Sequence, residues 1–200
     1  MNDETDNLIR CPWCTAHPLL QDYHDRKWGV WVADDRIQFE HHVLEVFQAG
    51  LSWLTMLKKR EAFRAAFVGF DPERVARFGG SDFSRLMNDS SIIRNRMKIE
   101  AVIHNAPRFC AVAEEFGGFA LFLERFRPSK AKIRRRESEI PAKTPEAEAL
   151  SKELRARGFK FTGPTICYAH MQAVGVVNDH IESCFRFFTC KHEAAKPVLR

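Results

Sequence analysis

The stretch LEVFQAGLSWLTMLKKREAFRAAF, residues 44–67, predicts two consecutive helices joined by a tight turn. Apolar residues recur at intervals of three and four on both sides of Gly50, which is the pattern of helices with one buried face. Gly50 is expected to end the first helix, and Ser52 is a favourable N-cap for the second. The first helix begins upstream, because Phe39 and Val43 continue its apolar face.

The same signals recur along the chain. Asp71-Pro72 and Thr144-Pro145 each place a capping residue before a proline at the first helical position. Gly79-Gly80 is expected to stop the helix that begins at Pro72. Only GFKFTG, residues 158–163, alternates as a strand would, and it is too short to seed a sheet. We therefore predict an all-α fold.

The bulk composition is that of a globular domain. The chain has 200 residues, of which 45% are hydrophobic, and we expect a single domain over 1–200 with its core at 8–190 and flexible ends. No apolar run reaches the roughly 18–20 residues of a membrane span, and MNDETDN does not resemble a signal peptide. These features predict a cytoplasmic protein with no membrane partner, in which the six cysteines are free or metal-bound. They do not indicate an oligomeric state, and a monomer is the default expectation for an enzyme of the kind that the chain's motifs suggest.

Positive charge is concentrated in one segment. The net charge is +5, and the segment 125–136, RFRPSKAKIRRR, holds seven basic residues and no acidic one. Such a run is either a solvated loop or a surface that faces phosphates.

A cysteine pair opens the chain in the motif CPWC, residues 11–14. It resembles a redox dithiol, but such a dithiol normally opens a helix beside a βαβ unit, and no such unit is visible here. Metal ligation is the alternative. His24 follows Cys11 at a distance of thirteen residues, while Cys14 and His17 compete as ligands.

A second ligand pair lies in NDHIESC, residues 178–184. His180 and Cys184 are four residues apart, so on a helix they would share one face, which suits two ligands of one tetrahedral metal. A chance pairing on a helix face would look the same. If the pair does bind, Cys and His from both ends of the chain would form a Cys₂His₂ site that ties the ends together.

The segment 83–106, FSRLMNDSSIIRNRMKIEAVIHNA, predicts two short amphipathic helices around a turn that carries Arg94, Arg96 and Lys98. Free backbone N–H groups and cations at the start of a helix suit a phosphate. The segment resembles a helix-hairpin-helix DNA clamp without its usual glycines, and a plain helical corner accounts for it equally well.

Glu45 is surrounded by apolar neighbours in VLEVFQAGLSW, residues 43–53. A buried carboxylate without a partner is costly, so this position predicts either a function or a partner. A glutamate at the outer edge of the helix, bonded to a cation, is the structural alternative.

Four blocks together resemble the DNA-3-methyladenine glycosylase I family of the helix-hairpin-helix superfamily: YHDRKWGV at 23–30, the opening stretch at 44–67, IIRNRMKIEAVIHNA at 92–106 and GFKFTGPTICYAHMQAVGVVNDH at 158–180. The resemblance runs from about Cys11 to Cys184. It implies a compact helical domain and a monofunctional enzyme that flips N3-methyladenine out of double-stranded alkylated DNA and hydrolyses its glycosidic bond.

The resemblance also assigns residues. It implies one structural zinc per chain, bound by Cys11, His24, His180 and Cys184, with Cys14 left as a bystander. Glu45 would be the catalytic carboxylate, and the base would be bound by Tyr23, Trp28, Trp53 and Gln48. Two further expectations come from the residues themselves: Gly50 and Leu51, an apolar residue on a tight turn, could act as a wedge in DNA, and Arg94, Arg96 and Lys98 could contact DNA phosphates at the hairpin.

This chain departs from the family's best-known members at three positions. Leu20 stands in place of a tyrosine, and Val46 and Phe47 replace a small and a polar residue beside the carboxylate. We expect a more apolar pocket with a raised pKa for Glu45 and an altered fit for the base. A non-catalytic, zinc-stabilised DNA-damage-binding module on the same scaffold is the alternative function.

Overall fold

Every regular element in residues 8–193, the part of the chain described by the computed structural model, is a helix, as predicted. Side chains are described through residue 190. The α-helices are α1 (Pro18–Arg26), α2 (Asp35–Gln48), α3 (Trp53–Ala66), α4 (Pro72–Val75), α5 (Gly80–Asn88), α6 (Arg96–Phe116), α7 (Phe119–Glu124), α8 (Pro145–Ala156), α9 (Pro164–Ala173) and α10 (Arg186–Glu193). Short 3₁₀ helices span Pro12–Cys14, Val68–Phe70 and Glu137–Glu139.

The predicted helix starts are confirmed by their caps. The side chains of Ser52, Asp71 and Thr144 each accept a hydrogen bond from a backbone N–H in the first turn of α3, α4 and α8. The predicted end at Gly79-Gly80 is wrong, because the helix from Pro72 already ends at Val75. Gly79 instead caps the next helix, and its N–H donates to the Asp82 carboxylate at 3.1 Å.

The predicted helical hairpin is present, but its second helix is long. α5 ends at Asn88, and Asn95 caps α6 by accepting from the Lys98 N–H at 3.1 Å. α6 is 21 residues long, and Pro107 lies within it. Because Pro107 lies well inside α6, proline alone does not mark the end of a helix here.

The centre of the fold is α2. Its residues 38–47 are all buried, and it packs against α3, α6, α7 and α9. A helix surrounded on all sides must bury its polar side chains too, which is why two glutamates and two histidines of α2 lie inside the protein. This placement puts Glu45 in the interior.

The two ends of the described chain meet. Phe185 N–H donates to the carbonyl of Ile9 at 3.0 Å. Among the described residues, no helix is both long and apolar enough to cross a membrane. The expectation of flexible ends falls on residues 1–7 and 194–200, which lie outside the described part, and on 191–193, whose side chains are not described.

Candidate active site and metal centre

Four buried side chains from the two ends of the chain form one cluster: Cys11, His24, His180 and Cys184. Their ligand atoms all lie within 4.8 Å of one another. His24 Nε2 lies 3.2 Å from His180 Nδ1 and 3.4 Å from Cys184 Sγ, and Cys11 Sγ lies 3.6 Å from His180 Nδ1. Two thiols and two imidazoles arranged in this way could hold a metal ion.

The outer nitrogens of both histidines have partners, so each ring is fixed. His24 Nδ1 is 2.7 Å from the Asp25 carboxylate, which Arg10 holds in turn. His180 Nε2 lies 3.1 Å from the carbonyl of Trp28. Gly29 has a φ of +77°, and a Cβ there would come within 3.0 Å of His180 Nε2. Such partners leave His24 Nε2 and His180 Nδ1 to face the cluster.

The two thiols of the cluster titrate as a pair. Their shared hydrogen bond raises the pKa of the Cys11 thiol and lowers the pKa of Cys184, and burial also raises the former. One thiolate therefore forms more readily than the other, as expected for ligands packed this closely.

The prediction that His180 and Cys184 share a helix face is wrong. Residues 178–184 form an irregular turn, in which Cys184 N–H donates to the Ile181 carbonyl at 2.8 Å. Ile181 also forms an isolated parallel bridge with Arg134. The turn brings the two ligands together as effectively as a helix would.

The competing ligands lie outside the cluster. Cys14 is buried, and its thiol donates to the carbonyl of Cys11 at 3.1 Å. His17 caps α1 by accepting from Leu19 N–H at 3.1 Å. Cys11 and Cys14 are both free thiols, so CPWC is not a disulfide in this structure.

Beside the cluster lies a cavity of about 350 Å³. It brings together every residue predicted to meet the base, namely Glu45, Tyr23, Trp28, Trp53 and Gln48. The sequence did not reveal the other lining residues, which are Trp13, Glu137, Ile140, Ala169, Gln172 and Ala173. Among the lining residues there is no lysine.

Aromatic rings connect the cavity to the cluster. The ring centroids of Tyr23 and Trp53 are 5.0 Å apart, and those of Trp13 and Trp28 are 5.1 Å apart. The Trp28 ring in turn lies 4.6 Å from the His180 ring. The indole N–H of Trp53 is buried and has no hydrogen-bond partner among the described residues.

Two buried glutamates of α2 differ in their partners. Glu40 accepts from Arg60 at 2.5 Å and from Arg64 at 2.9 Å, so its charge is compensated. Glu45 is 5% exposed, and no described group donates to its carboxylate or pairs with it. Burial raises the pKa of Glu45 to about 8. The alternative for Glu45, a glutamate at the outer edge of the helix bonded to a cation, is therefore wrong.

The residues predicted to contact DNA lie in different environments. Gly50 has a φ of +80° in the turn between α2 and α3, and Leu51 beside it is 42% exposed. Arg94 is exposed and Arg96 lies over the ring of Phe83, also pairing with Glu100 at 3.3 Å.

Lys98 is placed differently from the two arginines. It is 7% exposed, and its ammonium donates to the carbonyls of Phe47 at 2.8 Å and Ala49 at 2.6 Å. It therefore caps the end of α2 and supports the turn that carries Leu51.

The three departures from the family lie outside the cavity lining. Leu20 is buried in α1, and Val46 and Phe47 are fully buried in the core. Phe47 packs on Phe63, with ring centroids 4.6 Å apart. The expectation that these residues reshape the pocket wall is therefore not supported by their placement, although Glu45 does have a raised pKa.

Sequence signals for the missed lining residues differ. Trp13 stands within CPWC and Gln172 within the block 158–180, so both lie in stretches that had already drawn attention. Glu137 and Ile140 follow the basic segment, and no local pattern indicates that it folds back over α9.

An all-helical scaffold with an aromatic cavity around one uncompensated buried carboxylate is the arrangement we expect of a helical DNA glycosylase. Comparisons with known proteins specify the class further. The chain belongs to the methyladenine glycosylase family, whose model matches residues 13–187.

Relatives match over nearly their whole length. The chain is 45% identical over 192 residues to DNA-3-methyladenine glycosylase 1 of Escherichia coli (strain K12), covering 95% of this chain and all of that protein. It is 42% identical over 178 residues to DNA-3-methyladenine glycosylase of Haemophilus influenzae, covering 88% and 96%. The solved structure of 3-methyladenine DNA glycosylase I from Staphylococcus aureus superposes with a TM-score of 0.83 at 35% identity, covering 89% and 96%.

Proposed function

We propose that this protein is a monofunctional DNA glycosylase that flips N3-methyladenine out of alkylated double-stranded DNA and hydrolyses its N-glycosidic bond, the first step of base excision repair. It acts as a cytoplasmic monomer through a single domain. The observation that carries the proposal is the uncompensated Glu45 carboxylate in an aromatic cavity. Family membership and the names of the relatives support it.

The lesion supplies the positive charge that no described residue provides for the Glu45 carboxylate. N3-methyladenine carries a positive charge while it is attached to the sugar, whereas adenine is neutral. A cation next to a desolvated carboxylate favours the ionised form of that carboxylate. Neutral adenine provides no such compensation, so the desolvation of the Glu45 carboxylate stays unfavourable when adenine is bound. Glu45 thus selects the damaged base.

The reaction needs little further assistance from the protein. When the bond between the sugar C1′ and the base nitrogen breaks, the bonding electron pair neutralises the base. Water adds a hydroxyl group to C1′ and releases a proton, which leaves an abasic site in an intact strand. Because no lysine of the described part of the chain lines the cavity, no described amine is placed to form a Schiff base, and we infer that water is the nucleophile.

The aromatic wall offsets the cost of flipping. Extruding a nucleotide costs a few kcal/mol, and stacking a base on an aromatic ring contributes roughly 1–3 kcal/mol. Tyr23 and Trp53 form a tilted pair beside Glu45, and Trp28 and Gln48 complete the predicted set.

The Cys₂His₂ cluster fits a structural zinc. A zinc tetrahedron with bonds of about 2.0–2.3 Å has edges of about 3.3–3.8 Å. Four of the six separations between donor atoms here are 3.2–3.6 Å, and all six are within 4.8 Å. Cys11, His24, His180 and Cys184 would hold the ion with no open position for a reacting water, and zinc would contribute stability by joining the two ends of the chain.

DNA would lie across the mouth of the cavity. Leu51, exposed on the Gly50 turn, suits a wedge into the space left by the flipped nucleotide. Arg94 and Arg96 stand at the start of α6, where N–H groups and cations suit a phosphate, and this makes α5 and α6 a candidate helix-hairpin-helix clamp. Lys98 would contribute indirectly, because its ammonium donates to the Ala49 carbonyl and so holds the turn that carries Leu51.

The test is to incubate the purified protein with methylated duplex DNA and to identify the released bases. Glu45→Gln is run alongside, with Glu61→Gln as a matched control on α3, where the side chain is 81% exposed. We expect the wild type and the control to release free 3-methyladenine, and the Glu45 variant to lose this release.

If folded, zinc-loaded protein releases no methylated base, the glycosylase proposal is wrong. In that case, retained preferential binding to methylated over unmethylated duplex would identify the alternative, a DNA-damage-binding module without catalysis.

A further inference from the structure

The excess positive charge of the chain resides in one segment. Residues 125–140 contain seven basic and two acidic residues, so they carry a net charge of +5, which equals that of the whole chain. All other residues together are neutral. The segment connects α7 to α8.

Two arginines of the segment are anchors. Arg127 donates to the carbonyl of Val176 at 2.8 Å and pairs with Glu124. Arg134 donates to Asp179 at 3.1 Å, and its carbonyl accepts from Glu182 N–H at 2.7 Å. These contacts tie the segment to the stretch 176–182, which runs into the metal cluster.

Four other cations of the segment are exposed to solvent and make no strong contact within the described part of the protein. Lys130 and Lys132 are exposed, border a second cavity beneath the segment, and pair with no described carboxylate. Arg135 and Arg136 have side chains 81% and 80% exposed, and their acidic partners are 3.7 and 3.5 Å away. Exposed ion pairs of this kind contribute little, so these arginines can exchange them for phosphates.

The four exposed cations lie in the chain directly before the two residues of this segment that line the base cavity. Glu137 follows Arg136 directly and lines that cavity together with Ile140. A strand whose nucleotide is inserted into the cavity passes the edge formed by Glu137 and Ile140, so its flanking phosphates would come near the cations that precede Glu137.

We propose that residues 130–136 form a second surface for the DNA backbone. This surface binds the phosphates that flank the flipped nucleotide, on the side of the cavity that Glu137 lines. This surface is distinct from the α5–α6 hairpin, and the inference rests on the proposed function. Arg127 and Arg134 set its shape, while Lys130, Lys132, Arg135 and Arg136 contact the DNA.

The experiment measures binding of the full-length protein to an undamaged duplex by fluorescence anisotropy over a series of salt concentrations. Two double variants remove charge from the surface, Lys130→Gln with Lys132→Gln and Arg135→Gln with Arg136→Gln. The matched control, Lys152→Gln with Arg155→Gln, removes two exposed charges from α8. Lys130→Arg with Lys132→Arg keeps the charge.

Each lost phosphate contact lowers the slope of log K against log salt by about 0.9. We therefore expect each Gln pair in the segment to reduce the slope by about 1 to 2 and to weaken binding several-fold near physiological salt. The control and the Arg pair should keep the wild-type slope. Segment variants that bind like the wild type, or a control with the same loss, would overturn the proposal.

Failure of this inference can be told apart from failure of the proposed function. Binding to undamaged DNA does not depend on excision, so an unchanged slope in a protein that still releases 3-methyladenine overturns only the basic surface. A protein that shows the expected slopes but releases no base overturns only the glycosylase proposal.

Discussion

Tyr23 and His24 are neighbours in the chain, yet their side chains belong to different sites. The Tyr23 ring lines the base cavity, while the His24 imidazole is fully buried in the Cys/His cluster. Trp28, in the turn that follows α1, touches both, since it lines the cavity and packs on His180. Any ion that fixes His24 therefore also fixes two walls of the cavity.

Removal of the metal should consequently affect both stability and base binding. Structural zinc contributes on the order of 10 kcal/mol in small domains. We expect Cys184→Ala, or chelation of the wild type, to lower the Tm strongly and to weaken binding of free 3-methyladenine. Metal content, thermal unfolding and ligand titration measure these effects.

Cys110→Ser is the control for the loss of a cysteine, because Cys110 lies outside the cluster. It should keep both metal and Tm. If the metal-free protein unfolds at the wild-type temperature and binds the base as well as the wild type, the link between zinc and pocket is refuted.

Glu45 should lower the stability of the fold as the pH rises. Below a pH of about 4.5 the carboxyl is protonated in both the folded and the unfolded state, so it has no effect. Between 4.5 and about 8 the unfolded state loses the proton while the folded state keeps it, and the free energy of unfolding falls by up to about 1.4 kcal/mol per pH unit.

Glu45→Gln removes this penalty. We expect the variant to match the wild type in Tm near pH 4.5 and to exceed it by several degrees at pH 8, as measured by calorimetry at both values. A Tm difference that does not change with pH would show that Glu45 is not desolvated. A substitution that stabilises the protein by removing a buried carboxylate is typical of a functional site, where activity requires a group that lowers stability.

Much of this architecture follows from local signals. Capping residues located the starts of α3, α4 and α8, Gly50 marked the end of α2, and the apolar surroundings of Glu45 indicated a buried carboxylate. Contacts distant in sequence were not predictable in this way. Lys98 looked like a phosphate ligand because its neighbours are basic, but the end of α2, 49 residues earlier, supplies the carbonyls that bind its ammonium. Likewise, the spacing of His180 and Cys184 fits a helix, but the stretch forms a turn that bridges to Arg134, 47 residues before Ile181.

The role of Lys98 predicts a separation between folding and DNA affinity. Lys98→Met leaves two helix-end carbonyls without a donor, which should cost about 1.5–3 kcal/mol. We expect a lower Tm and little change in the salt dependence of DNA binding. Arg94→Gln, at an exposed position without a described partner, should do the opposite and lower the salt slope by about 1. If Lys98→Met also lowers the slope, Lys98 contacts phosphate after all.

Glu137 is a second carboxylate at the cavity, exposed and without a described partner. At an exposed position its attraction for a cationic base is screened, so Glu137→Gln should lower kcat/KM for 3-methyladenine release only about two- to fivefold. Glu139→Gln is the matched control, because Glu139 accepts from Arg135 N–H at 2.8 Å and does not line the cavity. Equal effects of the two variants would exclude a specific role for Glu137.

The central claim is that ionised Glu45 draws the cationic base into the cavity, and the pH dependence of kcat/KM for 3-methyladenine release tests it most directly. This ratio reports the ionisation of the free enzyme. We predict that wild-type kcat/KM rises with pH and levels off above the Glu45 pKa of about 8. Glu45→Gln should be slower by on the order of a hundredfold or more and should lack this rise. Identical pH profiles in the two proteins would contradict the account.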